Sequence, residues 1–271
     1  MTLQTLRLAS AIFGEPQPPD DDPAELYHEA SKLSGVAGVD DLAGIGRLLE
    51  SRELRATATR AVRRHLHAPV VSLPQSARLE MPLETALASR RSVRAFEPGG
   101  FRLPELAALL RAAYGVTGEL AESEGTQPLR AAPSGGALYP LELTVAALDV
   151  GGLTPGLYHY DPLADALEVV RLGRPPVAAT TPFAETAGQA AAVVLVSGMF
   201  WRSRFKYGLR GYRFVLLEAG HLAQNVLLAA TALGLGAVAL GGFYDRRADE
   251  LIGVNGVDES TLYLICVGRP A

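Results

Sequence analysis

Lys206 and Tyr207 stand side by side in RSRFKYGLRGYRFVLLEAGHLAQN, the stretch from Arg202 to Asn225. An amine next to a phenol can work as an acid/base pair held over a cofactor. A free lysine, with a pKa of about 10.4, is a poor base near neutrality. Burial and neighbouring cations lower that value. Arg202, Arg204, Arg210 and Arg213 put four cations within a few residues. The plainer alternative is an exposed pair beside a strand end.

Four more stretches carry chemistry. RRSVR places Arg90, Arg91, Ser92 and Arg94 within five residues. A guanidinium grips phosphate oxygens at two points, although basic clusters usually face solvent. APSGGALYP sets Ser134 beside Gly135 and Gly136, where backbone can approach a flat ligand and bare N–H groups can meet an electron-rich edge; the alternative is a plain turn. LGGF offers a second close-approach pair, Gly241 and Gly242. VGRP ends the last apolar run with Arg269, within reach of a phosphate. Other signals fail. GLGAVALGG follows a helical pattern and precedes a strand, the reverse of the order a dinucleotide loop needs, so Gly234 and Gly236 are expected to end a helix. The histidines (His28, His65, His67, His159, His221) show no metal-ligand spacing with acids or with Cys266, and no G-x-S-x-G elbow occurs.

These residues need elements to hold them. Gly14–Pro23 is Pro/Asp-rich and reads as a loop, and residues 38–67 read as helical. Arg52, Arg60, Arg63 and Arg64 give that region a basic side, a solvated face or else a docking surface for an acidic peptide. LETALASRR is a short helix, and LPELAALLRAAYG a longer one punctuated by Pro104 and Gly115. VTGELAESEGTQPLRAAPSGG reads as a long polar loop. LELTVAAL is a strand, GLYHYDPLADALEVVR a hairpin, and AAVVLVSG a buried strand. YRFVLLEAGHLAQNVLLAATALGLG is apolar nearly all round, which predicts a helix buried on most sides. On it Glu218, His221 and Asn225 share a stripe, expected as a buried polar seam rather than a catalytic set. GAVALGG and TLYLICVG supply two last strands.

Length and charge bound the class. With 271 residues, 48% apolar and 20% charged, the chain can bury a sizeable core. A net charge of −4 gives no bulk attraction to nucleic acid or an anionic membrane. One cysteine allows no internal disulfide, which fits a cytoplasmic setting. No basic start with an apolar core marks a signal peptide, and no run of about 18 uncharged apolar residues predicts a membrane span.

In order, RRSVRAF, PSGGALYPLEL, GLYHYDP, KYGLRGYRFVLLEAGHLAQNVLLAATALGLG, GGFYD and VGRP resemble the SagB/McbC-type FMN-dependent dehydrogenases of the nitroreductase-like flavoprotein superfamily. The resemblance spans about residues 83–271 and reaches back to LYHEASKL at 26–33. It implies an α+β fold, a mixed, mostly antiparallel sheet flanked by helices, in an interlocked homodimer with FMN in clefts between the chains. It divides the chain into residues 1–82, an N-terminal helical extension and linker, and 83–271, the FMN-binding domain. Arg90, Arg91, Ser92 and Arg94 would hold the phosphate and ribityl chain, with Arg269 returning to the phosphate. Ser134 and Gly135 would line the cleft, and Gly241 and Gly242 would approach the ring. The implied reaction oxidises a thiazoline or oxazoline of a modified precursor peptide to the azole: a proton leaves one carbon, a hydride leaves its neighbour for the flavin, and oxygen reoxidises the flavin. Lys206 and Tyr207 would be the acid/base pair, or Tyr207 would orient the ring. A cyclodehydratase is the implied partner, and no metal is implied.

Three alternatives share the fold: an NAD(P)H-dependent flavin reductase of a small acceptor, a scaffolding subunit of a cyclodehydratase complex, and an oxidase of another peptide or metabolite. Substrate change in such a fold is expected in the loop from Val116 to Ala132.

Overall fold

The computed structural model describes residues 22–32, 44–47, 50–51, 53–54, 62–122 and 125–271. Of the expected Gly14–Pro23 loop only Asp22 and Pro23 are described, as the cap and first residue of a helix. Of the region 38–67 expected as helical, 44–47, 50 and 53–54 are helical and 51 and 62–67 are not; the rest, with Arg52 and Arg60, lies outside the described residues. In chain order the elements are α1 (Pro23–Ala30), β1 (Val70–Ser72), α2 (Leu83–Ser89), β2 (Phe96–Glu97), β3 (Phe101–Arg102), α3 (Leu103–Tyr114), β4 (Val116–Glu122) and β5 (Gly125–Arg130). There follow β6 (Leu141–Ala147), β7 (Val150–Gly151), β8 (Gly156–Asp161), β9 (Ala166–Leu172), α4 (Ala184–Gln189), β10 (Ala192–Met199), α5 (Trp201–Ala232), β11 (Gly236–Leu240), α6 (Asp245–Ile252) and β12 (Glu259–Pro270).

The main sheet runs β1-β9-β8-β6-β10-β12-β11, every neighbour antiparallel, with β2 joining the far end of β12. A parallel pair, β3 with β7, makes the architecture mixed, so the expected α+β class holds. The central strands read as unbroken apolar runs because both faces are covered. Leu143, Val145, Val194, Val196, Ile265 and Val267 point to one core, shared with α3 and α5. Ala146, Val193, Leu195, Leu264 and Cys266 point to the other, under α4 and α6. This alternation is the period-two geometry of a strand. Burial pushes the Cys266 thiol up to about 12, which leaves it an inert core group.

Four expectations change. The polar stretch after Gly115 is not a loop but the β4–β5 hairpin, in which Val116 opposes Arg130. Its β4 residues from Val116 to Ala121 are exposed, and the buried residues of β5, Gln127 and Arg130, are polar, so no alternating apolar pattern marks it in the sequence. The long helix begins at Trp201, taking in Lys206 and Tyr207, and kinks at Gly208, with φ 54° and ψ −137°. Nor is it buried on most sides: Leu209, Leu216 and Leu217 are exposed in the single chain. By length and composition α5 is apolar enough to cross a membrane, but Val215, Ala219, Leu222 and Val226 of its other face belong to the sheet core. Gly234, with φ 69°, ends α5 as expected; Gly236 instead opens β11, where Val93 leaves no room for a Cβ.

Candidate active site

Lys206 and Tyr207 sit half-buried in the first part of α5, just before its kink. Both reach the turn that leads into β6. A Cβ placed on Gly136 would lie 2.5 Å from Lys206 Nζ and 2.6 Å from Tyr207 Oη. The two groups therefore converge on one backbone atom, and Gly136, at φ 64°, is the residue type that allows it. Tyr207 packs edge-on against Phe214 at 5.0 Å between ring centroids. From the other side Gly44 comes so close to the Phe205 carbonyl that no Cβ would fit.

The turn itself is anchored from below. Glu218, one of the expected stripe residues, is 4% exposed. Its Oε1 accepts from Ser134 Oγ at 3.0 Å and from Gly135 N–H at 2.9 Å. Burial, opposed by those bonds and by Arg130, pushes its carboxyl up to about 7. His221, the second stripe residue, is exposed, and Asn225 is half-buried, so the expected buried seam reduces to Glu218. Arg130 lies between Tyr114 and Tyr139, with its guanidinium 4.4 and 4.6 Å from their ring centres.

The arginines around Lys206 are largely engaged elsewhere. Arg202 pairs with buried Glu142 at 2.5 Å, and Arg204 stacks on Trp201. Arg210 and Arg213 bond to Ser31, fastening the end of α1 to α5, and Tyr27 donates to the Leu209 carbonyl at 3.3 Å.

A second layer was not legible from spacing. His159, fully buried in β8, faces Glu142 with Nε2 at 2.8 Å and Glu168 with Nδ1 at 3.0 Å. Backbone N–H groups of Arg63 and His65 donate to the same two carboxylates, and Arg63 pairs with Glu259. Burial alone would raise Glu142, but the His159 bond and the Arg202 charge override it and hold its carboxyl down at about 2. Ligand atoms of His65, His159 and Glu168 lie within 4.8 Å of one another, a grouping that linear spacing did not reveal. Both ring nitrogens of His159 are already met by carboxylates, so hydrogen bonding accounts for the cluster. The one sequence signal was a charged or polar residue within otherwise apolar strands. Arg63 thus turns inward to Glu259, whereas Arg64 stays exposed beside Asp161, as expected of a solvated face.

The remaining predicted residues form a separate group. Ser92 bridges Ala237 at the start of β11, and Arg91, Ser92 and Arg94 are exposed while Arg90 is half-buried. Among the described residues no carboxylate pairs with Arg90, Arg91 or Arg94; Arg91 donates to the Ala88 and Arg90 carbonyls. Arg269 donates to the Gly100 carbonyl at 3.0 Å and lies 3.6 Å from Glu105. Gly241 and Gly242 are exposed after β11, and a Cβ on Gly241 would meet nothing within 4 Å. Along β12, Glu259 pairs with Met199, near the start of α5, whereas Arg269 pairs with Glu97. Those ends are about 33 Å apart at the usual strand rise. The arginine group and the Lys206–Tyr207 group therefore stand at opposite ends of the sheet in one chain.

An α+β sheet with this order, a glycine turn under a Lys-Tyr pair and a separate arginine cluster define a nitroreductase-type architecture. The chain belongs to the Nitroreductase family, which matches residues 87–269. It is 39% identical over 194 residues, 70% of this chain and 92% of the relative, to a protein of Methanocaldococcus jannaschii assigned as a nitroreductase. It is 34% identical over 110 residues, 38% of this chain and 40% of the relative, to the microcin B17-processing protein McbC of Escherichia coli. Among solved structures, a protein of Anabaena variabilis assigned as a nitroreductase superposes with TM-score 0.69 at 25% identity over 95% of this chain; the present chain covers 49% of it. The E. coli microcin synthetase McbBCD complex with truncated pro-MccB17 bound superposes with TM-score 0.56 at 22% identity, over 91% of this chain and 86% of that one.

The donor sets fit a flavin mononucleotide. Exposed guanidiniums without carboxylate partners suit a phosphate, and the open face of Gly241 leaves room for a flat ring. Among the residues sequence reasoning missed, Arg130, Gln127 and Tyr139 brace the turn; only a polar side chain in a loop marked them beforehand.

Proposed function

We propose that the chain is an FMN-dependent oxidoreductase that oxidises azoline rings of a modified peptide to azoles. The observation that carries this reading is the convergence of Lys206 Nζ and Tyr207 Oη on Gly136 of the glycine turn. Arg90, Arg91, Ser92, Arg94 and Arg269 would hold the phosphate end of the cofactor, Gly241 and Gly242 would flank its ring, and Ser134 and Gly135 would line the cleft. When bound, the flavin supplies the two-electron acceptor. Azoline oxidation removes two electrons and two hydrogens; one hydrogen leaves as a proton. Lys206 would take that proton from the ring carbon, and Tyr207 would orient the ring by a hydrogen bond. General base catalysis of this kind contributes about 10²–10⁴-fold.

The separation of the two residue groups supports a homodimer, in which the arginines of one copy face the Lys-Tyr cleft of the other. Exposed Leu209, Leu216 and Leu217 on α5 supply an apolar surface for that contact. Likeness to a synthetase subunit solved with a peptide supports a peptide substrate and a cyclodehydratase partner.

The test begins with the absorption spectrum of the purified protein and the mass of its released cofactor, then turnover of a thiazoline peptide. FMN near one per chain with azole formation supports the reading. The 39% relative assigned as a nitroreductase favours a second reading, reduction of a small acceptor by NAD(P)H. Fast bleaching by NADPH, with no azole formed, selects it.

A further inference from the structure

The turn from Ser134 to Tyr139 is held in an unfavourable shape. Gly136 is left-handed at φ 64°, and so are two residues with side chains, Ala137 at φ 50° and Tyr139 at φ 47°. Such backbone persists only where its surroundings over-determine it. Its anchors are few. Gln127 Nε2 donates to the Ala137 carbonyl at 3.0 Å, and Tyr139 Oη accepts from Arg130 N–H at 2.9 Å. Arg202 Nη1 reaches the Tyr139 carbonyl at 3.5 Å, and Ala137 N–H closes onto the Ser134 carbonyl at 3.0 Å. A further set passes through Glu218. Tyr139 N–H donates to Ser134 Oγ at 2.9 Å, Ser134 Oγ–H donates to Glu218 Oε1, and Gly135 N–H donates to the same oxygen. One carboxylate oxygen thus terminates a chain that runs through both ends of the turn. The other, Oε2, is buried with no hydrogen-bond partner, as is Arg130 Nε.

We propose that Glu218 is a positioning residue: it holds the turn at the approach that sets Gly136 against Lys206 Nζ and Tyr207 Oη, and its protonated form is the one that holds best. The inference rests on the reading of Lys206 and Tyr207 as the reacting pair. An ionised carboxylate with a buried, unpartnered oxygen is costly, and opening the turn relieves that cost by admitting water. The groups facing Glu218 are Arg130 from β5, Tyr114 from α3 and the Ser134–Gly135 backbone; Lys206 and Tyr207 lie across the turn. Arg130 opposes the upward shift but does not cancel it, and burial keeps the Tyr114 phenol protonated throughout. The closed turn therefore binds the proton more tightly than the open one, and rising pH favours opening.

The experiment uses the full chain and its Glu218→Gln, Glu218→Ala and Ser134→Ala variants. Amide hydrogen-exchange protection is measured over Ser134–Tyr139 at about pH 5.5 and about pH 8, together with the rate at which an acetylating ester labels Lys206. In the wild type, protection corrected for intrinsic exchange should fall about tenfold or more between those values. Glu218→Gln copies the protonated acid, with one acceptor and one donor, so it should stay protected at both. Glu218→Ala should lose protection about tenfold and change Lys206 labelling by a similar factor, with Ser134→Ala between. Wild-type protection and labelling in Glu218→Ala would overturn the proposal. If that variant does not fold, a wild-type pH step in Glu218→Gln overturns it instead. Should these results hold while the wild type leaves thiazoline peptides untouched, the substrate reading fails and the positioning role stands.

Discussion

At the scale of the residue, Lys206 and Tyr207 have one geometric fact in common, the Gly136 backbone between them. If they act on the substrate, Lys206→Ala and Tyr207→Phe should each lower turnover about 100-fold or more while leaving bound FMN unchanged, measured as kcat beside the flavin spectrum. Gly136→Ala should disturb both at once. Its methyl has no space beside Lys206 Nζ and Tyr207 Oη, and φ 64° disfavours any Cβ. A loss of about 1–2 kcal/mol in urea denaturation, with a fall in turnover, is expected. Glu218 gives the stability a pH signature. Its folded value of about 7 stands above the ordinary 4.5, so between those values the folded chain binds more protons than the unfolded one. Stability therefore falls as pH rises across that window, and Glu218→Gln should remove this part of the slope in urea midpoints. Glu142 acts in the opposite sense. Its value of about 2 means that its contribution is full above 4.5 and is lost as pH falls toward 2.

At the scale of the element, α5 shows why local pattern misled. Its apolar circumference predicts burial on most sides, whereas the chain covers the face bearing Val215, Ala219 and Leu222 and leaves Leu209, Leu216 and Leu217 exposed. Its kink at Gly208 turns the Lys-Tyr segment back, so that Ser203 and Arg204 backbone leave no room for a Cβ on Gly211. Gly208→Ala places a side chain at φ 54° and ψ −137°, where nothing crowds it within 4 Å, so its cost is backbone strain alone. A loss of about 1–3 kcal/mol is expected, read as a lower melting temperature. The β4–β5 hairpin was illegible for a different reason. Its strands pair by backbone, side chains such as Leu120 stay in solvent, and the two it buries, Gln127 and Arg130, are polar, so no apolar period is imprinted on the sequence.

At the scale of the whole molecule, the buried network from Arg63 and His65 through Glu142, His159 and Glu168 to Arg202 joins the segment before β1 to the first turn of α5. Arg202 stands one helical turn before Lys206. Arg202→Ala would leave Glu142 buried beside a lost cation, and should cost about 3–5 kcal/mol in chemical denaturation. Much of the framework was legible from sequence by itself. LELTVAAL, AAVVLVSG and TLYLICVG are strands because two-sided burial demands unbroken apolar runs. Pro104 and Gly115 bracket α3, and the order of short motifs pointed to the family. Those features are local, or repeat at the period of their own element. Tertiary structure alone decided that Glu218 ends beneath Ser134 and Gly135, that His159 lies between two carboxylates, and that the arginines of Arg90–Arg94 stand at the opposite end of the sheet from Lys206. Contacts between residues 9 to 172 positions apart depend on strand order and helix direction, which leave no period in the chain to be read.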